Sequence, residues 1–87
     1  MTTLHHHLII EIHHHLRKTT NLTMTTHPAP YITYINPTNK QEGHIYIDDN
    51  YQIAIATNID HNHLRKTTIE LESPNFLEQL TNHFTKY

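Results

Sequence analysis

The chain has 87 residues, no cysteine, a single glycine and a formal charge of −2 with histidine neutral, which excludes disulfide frameworks, thiolate metal sites and glycine-rich phosphate loops. A domain this small buries only about 60–65% of its unfolded surface, so oligomerisation is the remaining common source of burial and a homo-oligomer, with a dimer favoured, is expected. No apolar run approaches the ~20 residues of a membrane span, and no basic region followed by a long apolar stretch opens the chain, so it reads as cytoplasmic, with no membrane contact.

Six of the eleven histidines stand in two triplets, His5-His6-His7 and His13-His14-His15, divided by Leu8-Ile9-Ile10-Glu11-Ile12. Histidine changes charge near neutral pH, and protonating all eleven would carry the net charge from −2 to +9. As a helix, the segment aligns Leu4, Leu8, Ile12 and Leu16 at i+4 spacing, with Ile9 beside them. As a strand, Leu4, Leu8, Ile10, Ile12 and Leu16 share a face with His6 and His14. Such a strand would be unusually long, so the helix is preferred, with Thr2 or Thr3 as its cap. The triplets are interleaved with the apolar ridge, unlike an expression tag, and are expected to coat the outer face around it.

Leu22–Thr26 reads as a threonine-rich strand. A His27-Pro28-Ala29-Pro30 turn leads to a second, Tyr31-Ile32-Thr33-Tyr34-Ile35. Pro37–Gly43, which holds the only glycine, connects to His44-Ile45-Tyr46-Ile47-Asp48. Tyr51, Ile53, Ile55 and Thr57 then alternate with Gln52, Ala54, Ala56 and Asn58, giving one large-residue face and one small or polar face. Apolar matching across this hairpin favours a three-residue loop, Asp48-Asp49-Asn50. It sets Ile47 opposite Tyr51 and Ile45 opposite Ile53, with Asn50 left-handed.

Asn58–His63 is expected as a polar loop and Arg65–Leu71 as a last strand. Ser73 and Pro74 mark an N-cap and a first helical position. Phe76, Leu77, Leu80 and Phe84 follow at helical spacing, so a helix is expected from Pro74 to about Thr85. The expected architecture is α+β: an antiparallel four- to five-stranded meander with an N-terminal and a C-terminal helix, one domain over residues 1–87.

One hexapeptide, His15-Leu16-Arg17-Lys18-Thr19-Thr20, recurs identically as His63-Leu64-Arg65-Lys66-Thr67-Thr68, which hints at a duplicated unit. Arg17, Lys18, Arg65 and Lys66 are four of the six basic residues. Brought together, they would form a small basic patch with threonine hydroxyls for phosphate contacts, and nucleic-acid binding is therefore the alternative function.

Metal binding gains little from the triplets. Helical residues seven apart, such as His6 and His13, are separated by about 10.5 Å along the axis, too far for one ion. His61 and His63 are the better metal candidates, because alternate residues in extended chain point the same way. They would need a third ligand from elsewhere, such as His44, and a histidine-based metal protein is the second alternative.

Catalysis has less to stand on. Ser73, the only serine, is taken as a cap, and Asp48 and Asp49 read as turn chemistry. The chain is expected not to be an enzyme and to need no cofactor. Tyr31, Tyr34, Tyr46 and Tyr51 supply large amphipathic contacts of the kind found at interfaces. The expected function is a small protein-binding or regulatory module, an adaptor or inhibitor like the accessory proteins of phages and mobile elements.

Overall fold

The structure, a computed structural model, describes residues 2–60 and 63–85. In chain order the elements are α1 (Thr2–Thr19), β1 (Thr23–His27), β2 (Tyr31–Ile35), β3 (Glu42–Ile47), β4 (Gln52–Asp60), β5 (His63–Glu70) and α2 (Phe76–Thr85). The strands pair in sequence order as one antiparallel sheet. The fold is the α+β meander with terminal helices that the alternation and helical spacing predict.

The first segment is a helix because that geometry buries Ile9, Ile12 and Leu16 together, all at most 2% exposed. Its apolar ridge is rotated from the expected one. Leu4 is exposed and Leu8 only half-buried, and Ile9 takes the inner position. The histidines therefore do not coat an outer face. His5, His6, His13 and His15 are half-buried, leaving His7 and His14 exposed. His6 Nε2 donates to the Pro28 carbonyl (3.1 Å), and His15 Nε2 shares a hydrogen bond with Thr81 Oγ1 (2.9 Å). The expected caps, Thr2 and Thr3, have side chains outside the described part. At the other end Thr19 Oγ1 donates to the His15 carbonyl, and Thr20 Oγ1 and N–H donate to that of Leu16. Arg17 and Lys18 stand in this last turn, where cations complement the helix dipole.

Pairing partners in an antiparallel sheet share a face, so the register divides the strands into two surfaces. One surface carries the rows Met24–Tyr34–Gly43–Thr57–Arg65, Thr26–Ile32–Ile45–Ile55–Thr67 and Ile47–Ile53–Ile69. Its isoleucines join Ile9, Ile12, Leu16, Leu80 and Phe84 in a single core. Both helices cover this surface. α1 lies against β1, β2 and β3, while α2 lies against β5 and α1. Fully burying a side chain such as Ile12 or Leu80 is worth about 1.5–3 kcal/mol.

Several boundaries differ from expectation. The β3–β4 loop has the expected three residues but is Asp49-Asn50-Tyr51, closed by Asp48 N–H donating to the Gln52 carbonyl (2.9 Å). Ile47 therefore faces Ile53 and Ile45 faces Ile55, and the left-handed residue is Tyr51 (φ 59°). Asp48 causes the shift: its Oδ1 accepts from Asn50 N–H and Gln52 N–H, both at 3.0 Å, which starts the turn one residue later. Gly43 belongs to β3, not to the connector, because Asn36 N–H pairs with the Gln41 carbonyl and ends the turn earlier. Of the expected loop at Asn58–His63, residues 58–60 belong to β4 and His63 to β5, with an irregularity between Asn58 and Asp60, while residues 61–62 lie outside the described part. α2 begins at Phe76, not Pro74: the Ser73 carbonyl only closes a turn with Phe76 N–H (3.3 Å), and the four-residue spacing of the helix is first seen where Gln79 N–H donates to the Asn75 carbonyl (3.0 Å).

Candidate functional site

The second sheet surface faces away from the core that both helices close, although His5 of α1 reaches its edge. It carries the rows Thr25–Thr33–His44–Ala56–Lys66, Tyr46–Ala54–Thr68 and Thr23–Ile35–Glu42. His27 pairs with Tyr31 on the same side. Their rings stack at 4.4 Å and 9°, and Tyr31 continues to His44 at 5.8 Å. Thr33 Oγ1 fixes His27 from the next row by a 3.1 Å hydrogen bond to its Nε2. Ala54, although on this uncovered surface, is fully inaccessible between its row neighbours Tyr46 and Thr68.

Large rings beside small alanines leave a trough of about 500 Å³, lined by Tyr31, His44, Tyr46, Ala56 and Leu64 of the sheet and by His5 of α1 among others. Its lining is mainly apolar, and Leu64 is 64% exposed. Charges on this surface are few and of both signs. Lys66 Nζ lies 3.8 Å from Asp48 Oδ2. Glu70 accepts a hydrogen bond from Gln52 Nε2, and Glu42 is exposed.

The four tyrosines divide. Tyr31 and Tyr46 are half-buried on the uncovered surface. Tyr34 is a core residue, 3% exposed, meeting Phe84 edge-on at 4.9 Å. Its hydroxyl shares a 2.6 Å hydrogen bond with Thr57 Oγ1, and burial raises its pKa above the ordinary 10.0 despite that bond. Tyr34 therefore leaves the expected contact set, because β2 alternates and Tyr31 and Tyr34 have opposite parity. Tyr51 sits in the β3–β4 turn, its ring 6.2 Å from that of His5.

The four basic residues do not form one patch. Arg65 lies in a helix-side row and Lys66 in an uncovered row of the same strand. Arg17 and Lys18 end α1, which among the described residues does not lie against β5. His63 opens β5 and is exposed, whereas His61 lies outside the described residues. Among the described residues no group of three histidine, aspartate or glutamate side chains could hold a metal ion.

Among the trough's other members, His44, Ala56 and Leu64 are not marked by the sequence as contact residues. The signal for them is parity: His44 and Tyr46 alternate with Ile45 and Ile47, and Ala54 and Ala56 alternate with Ile53 and Ile55. Leu64 carries no such signal, since an isolated leucine beside Arg65 reads equally well as core. Compared with protein families, with curated proteins and with solved structures, the chain matches none.

Proposed function

We propose that the chain is a non-catalytic binding module that engages a protein partner through its uncovered sheet surface. The observation that carries this reading is the trough between Tyr31, Tyr46 and Leu64, an apolar recess on a surface otherwise of threonine and histidine. Tyrosine is enriched where interfaces are most buried, and a recess of this kind accepts an apolar anchor from a partner. The same surface is poorly suited to a phosphate backbone. Glu42, Glu70 and Asp48 outnumber Lys66, and Lys66 is already beside Asp48; counterion release needs several uncompensated cations. An adaptor or inhibitor acts by occupying a surface, and this arrangement supports such a role without any reacting group.

The test is partner capture by the wild-type chain and by a Tyr31→Ala, Tyr46→Ala variant, with folding checked by circular dichroism. Two anchors of ~2 kcal/mol each predict affinity weakened about 100-fold or more. Capture that survives the double substitution would overturn the reading. So would retention on single-stranded nucleic acid that falls steeply with salt and is lost in Lys66→Glu.

A further inference from the structure

A second concavity lies on the helix side of the sheet, away from the trough. It is a cleft of about 360 Å³ between the β2–β3 turn, β5 and α2, lined by Tyr34, Asn36, Asn39, Gln41, Arg65 and His83 among others. Among the described residues no carboxylate lines it. Arg65 has no ion-pair partner among the described residues. Burial, and then the charge of Arg65, hold the His83 imidazole below its ordinary 6.5. Two groups able to carry positive charge thus share a partly enclosed polar space that no described residue supplies with a counter-charge, and the Asn39 and Gln41 amides add neutral hydrogen-bonding groups at its turn side.

We propose that this cleft binds the oxyanion headgroup of a small molecule, a phosphate monoester or a carboxylate, with Arg65 as the forked donor and His83 as the titratable one. Guanidinium is the side chain best matched to a planar or tetrahedral oxyanion, through paired N–H donors. The volume is near the lower end of small-molecule sites, roughly 300–1,000 Å³, enough for a headgroup and a short organic part. Among the described residues, the ionisable groups lining the cleft are Arg65, His83 and Tyr34. Tyr34 stays neutral because burial raises its pKa, so the sign of the site is set by Arg65 and His83. The site is independent of the uncovered surface, since Arg65 and Lys66 lie on opposite faces of β5.

An anion bound beside His83 favours the imidazolium, and by reciprocity the protonated protein binds the anion more tightly. The experiment follows the His83 ring resonances by NMR through a pH titration, with inorganic phosphate, ribose 5-phosphate or succinate added and ionic strength matched with sodium chloride. The expected result is a saturable displacement of the His83 titration to higher pH. Loss of charge-assisted hydrogen bonds in Arg65→Gln should weaken it about tenfold or more. Arg65 is exposed, so this variant retains the fold. Tighter binding of ribose 5-phosphate identifies a phosphate ester as the ligand class, and tighter binding of succinate a carboxylate. The proposal is overturned if sodium chloride alone reproduces the displacement, if Arg65→Gln leaves it unchanged, or if none of the three probes saturates.

Discussion

At Gly43 an added Cβ would stand 2.0 Å from the Ala56 carbonyl oxygen and 3.0 Å from Thr57 Cα, both backbone atoms of β4. No rotamer change relieves a clash with backbone, so β3 and β4 approach at this row only because residue 43 has no side chain. Gly43→Ala is expected to destabilise by about 3 kcal/mol or more, the upper range of overpacking costs, and urea unfolding would read this as a lowered midpoint. An unchanged midpoint contradicts the close approach. Tyr51 is the converse case: a bulky residue held at φ 59° where glycine would be unstrained. Tyr51→Gly should raise stability by about 1 kcal/mol, because the left-handed conformation costs an L-residue about 1–2 kcal/mol and glycine loses part of that gain to entropy. Apolar matching places the left-handed residue at Asn50 because it does not weigh the Asp48 carboxylate against the pairing of isoleucines. The resulting error in register is two residues, which preserves parity, and so the faces of β3 and β4 are read correctly.

The repeated hexapeptide separates propensity from context at the scale of elements. His15–Thr20 closes α1, with Leu16 fully buried, whereas His63–Thr68 is β5, with Leu64 64% exposed. Leu16 continues the spacing of Ile9 and Ile12 onto the core, while the second copy follows β4 and pairs with it. Neighbours decide its state, as tertiary contacts routinely override weak local preference, and the two copies are not a duplicated structural unit. The helices were legible because their apolar spacing is strong. The start of α2 was not, because Ser73, Pro74 and Asn75 all suit a helix entrance and only the hydrogen bond from Gln79 N–H to the Asn75 carbonyl selects among them. Both helices also carry titratable groups. His13 on α1 is held below 6.5 by burial, then by Arg17 and His14, and His83 on α2 by burial and then Arg65. The unfolded chain therefore binds more protons at these positions, so stability rises with pH. It is fully present above about 6.5, the ordinary imidazole value, and is lost as pH falls through that value toward the lower folded ones. Thermal unfolding between about pH 8 and pH 5 should show a falling Tm on the acid side. His83→Gln should flatten the fall, and a Tm that rises with acid would contradict the assignment.

For the whole molecule, the order of helices and strands follows from local pattern, but the exposed surface does not. Which tyrosines face solvent depends on where both helices dock, and that requires the register of every strand at once. Tyr31, Tyr34 and Tyr46 look alike in the sequence; the sheet places one in the core and two beside the trough. Likewise, Arg65 and Lys66 are adjacent letters separated by the thickness of the sheet. On the proposed reading, the helix-covered surface supplies the core and the uncovered surface supplies the contacts to a partner. The most direct measurement of that claim installs a photo-crosslinking residue at His44, beside the trough, or at His14, exposed on α1. Both variants are irradiated in lysate of the cells that make this protein. A covalent adduct with one discrete protein is predicted from position 44, absent from position 14, and lost when Tyr31→Ala and Tyr46→Ala are added. An adduct from position 14 alone, or one from position 44 indifferent to both tyrosines, would contradict the account.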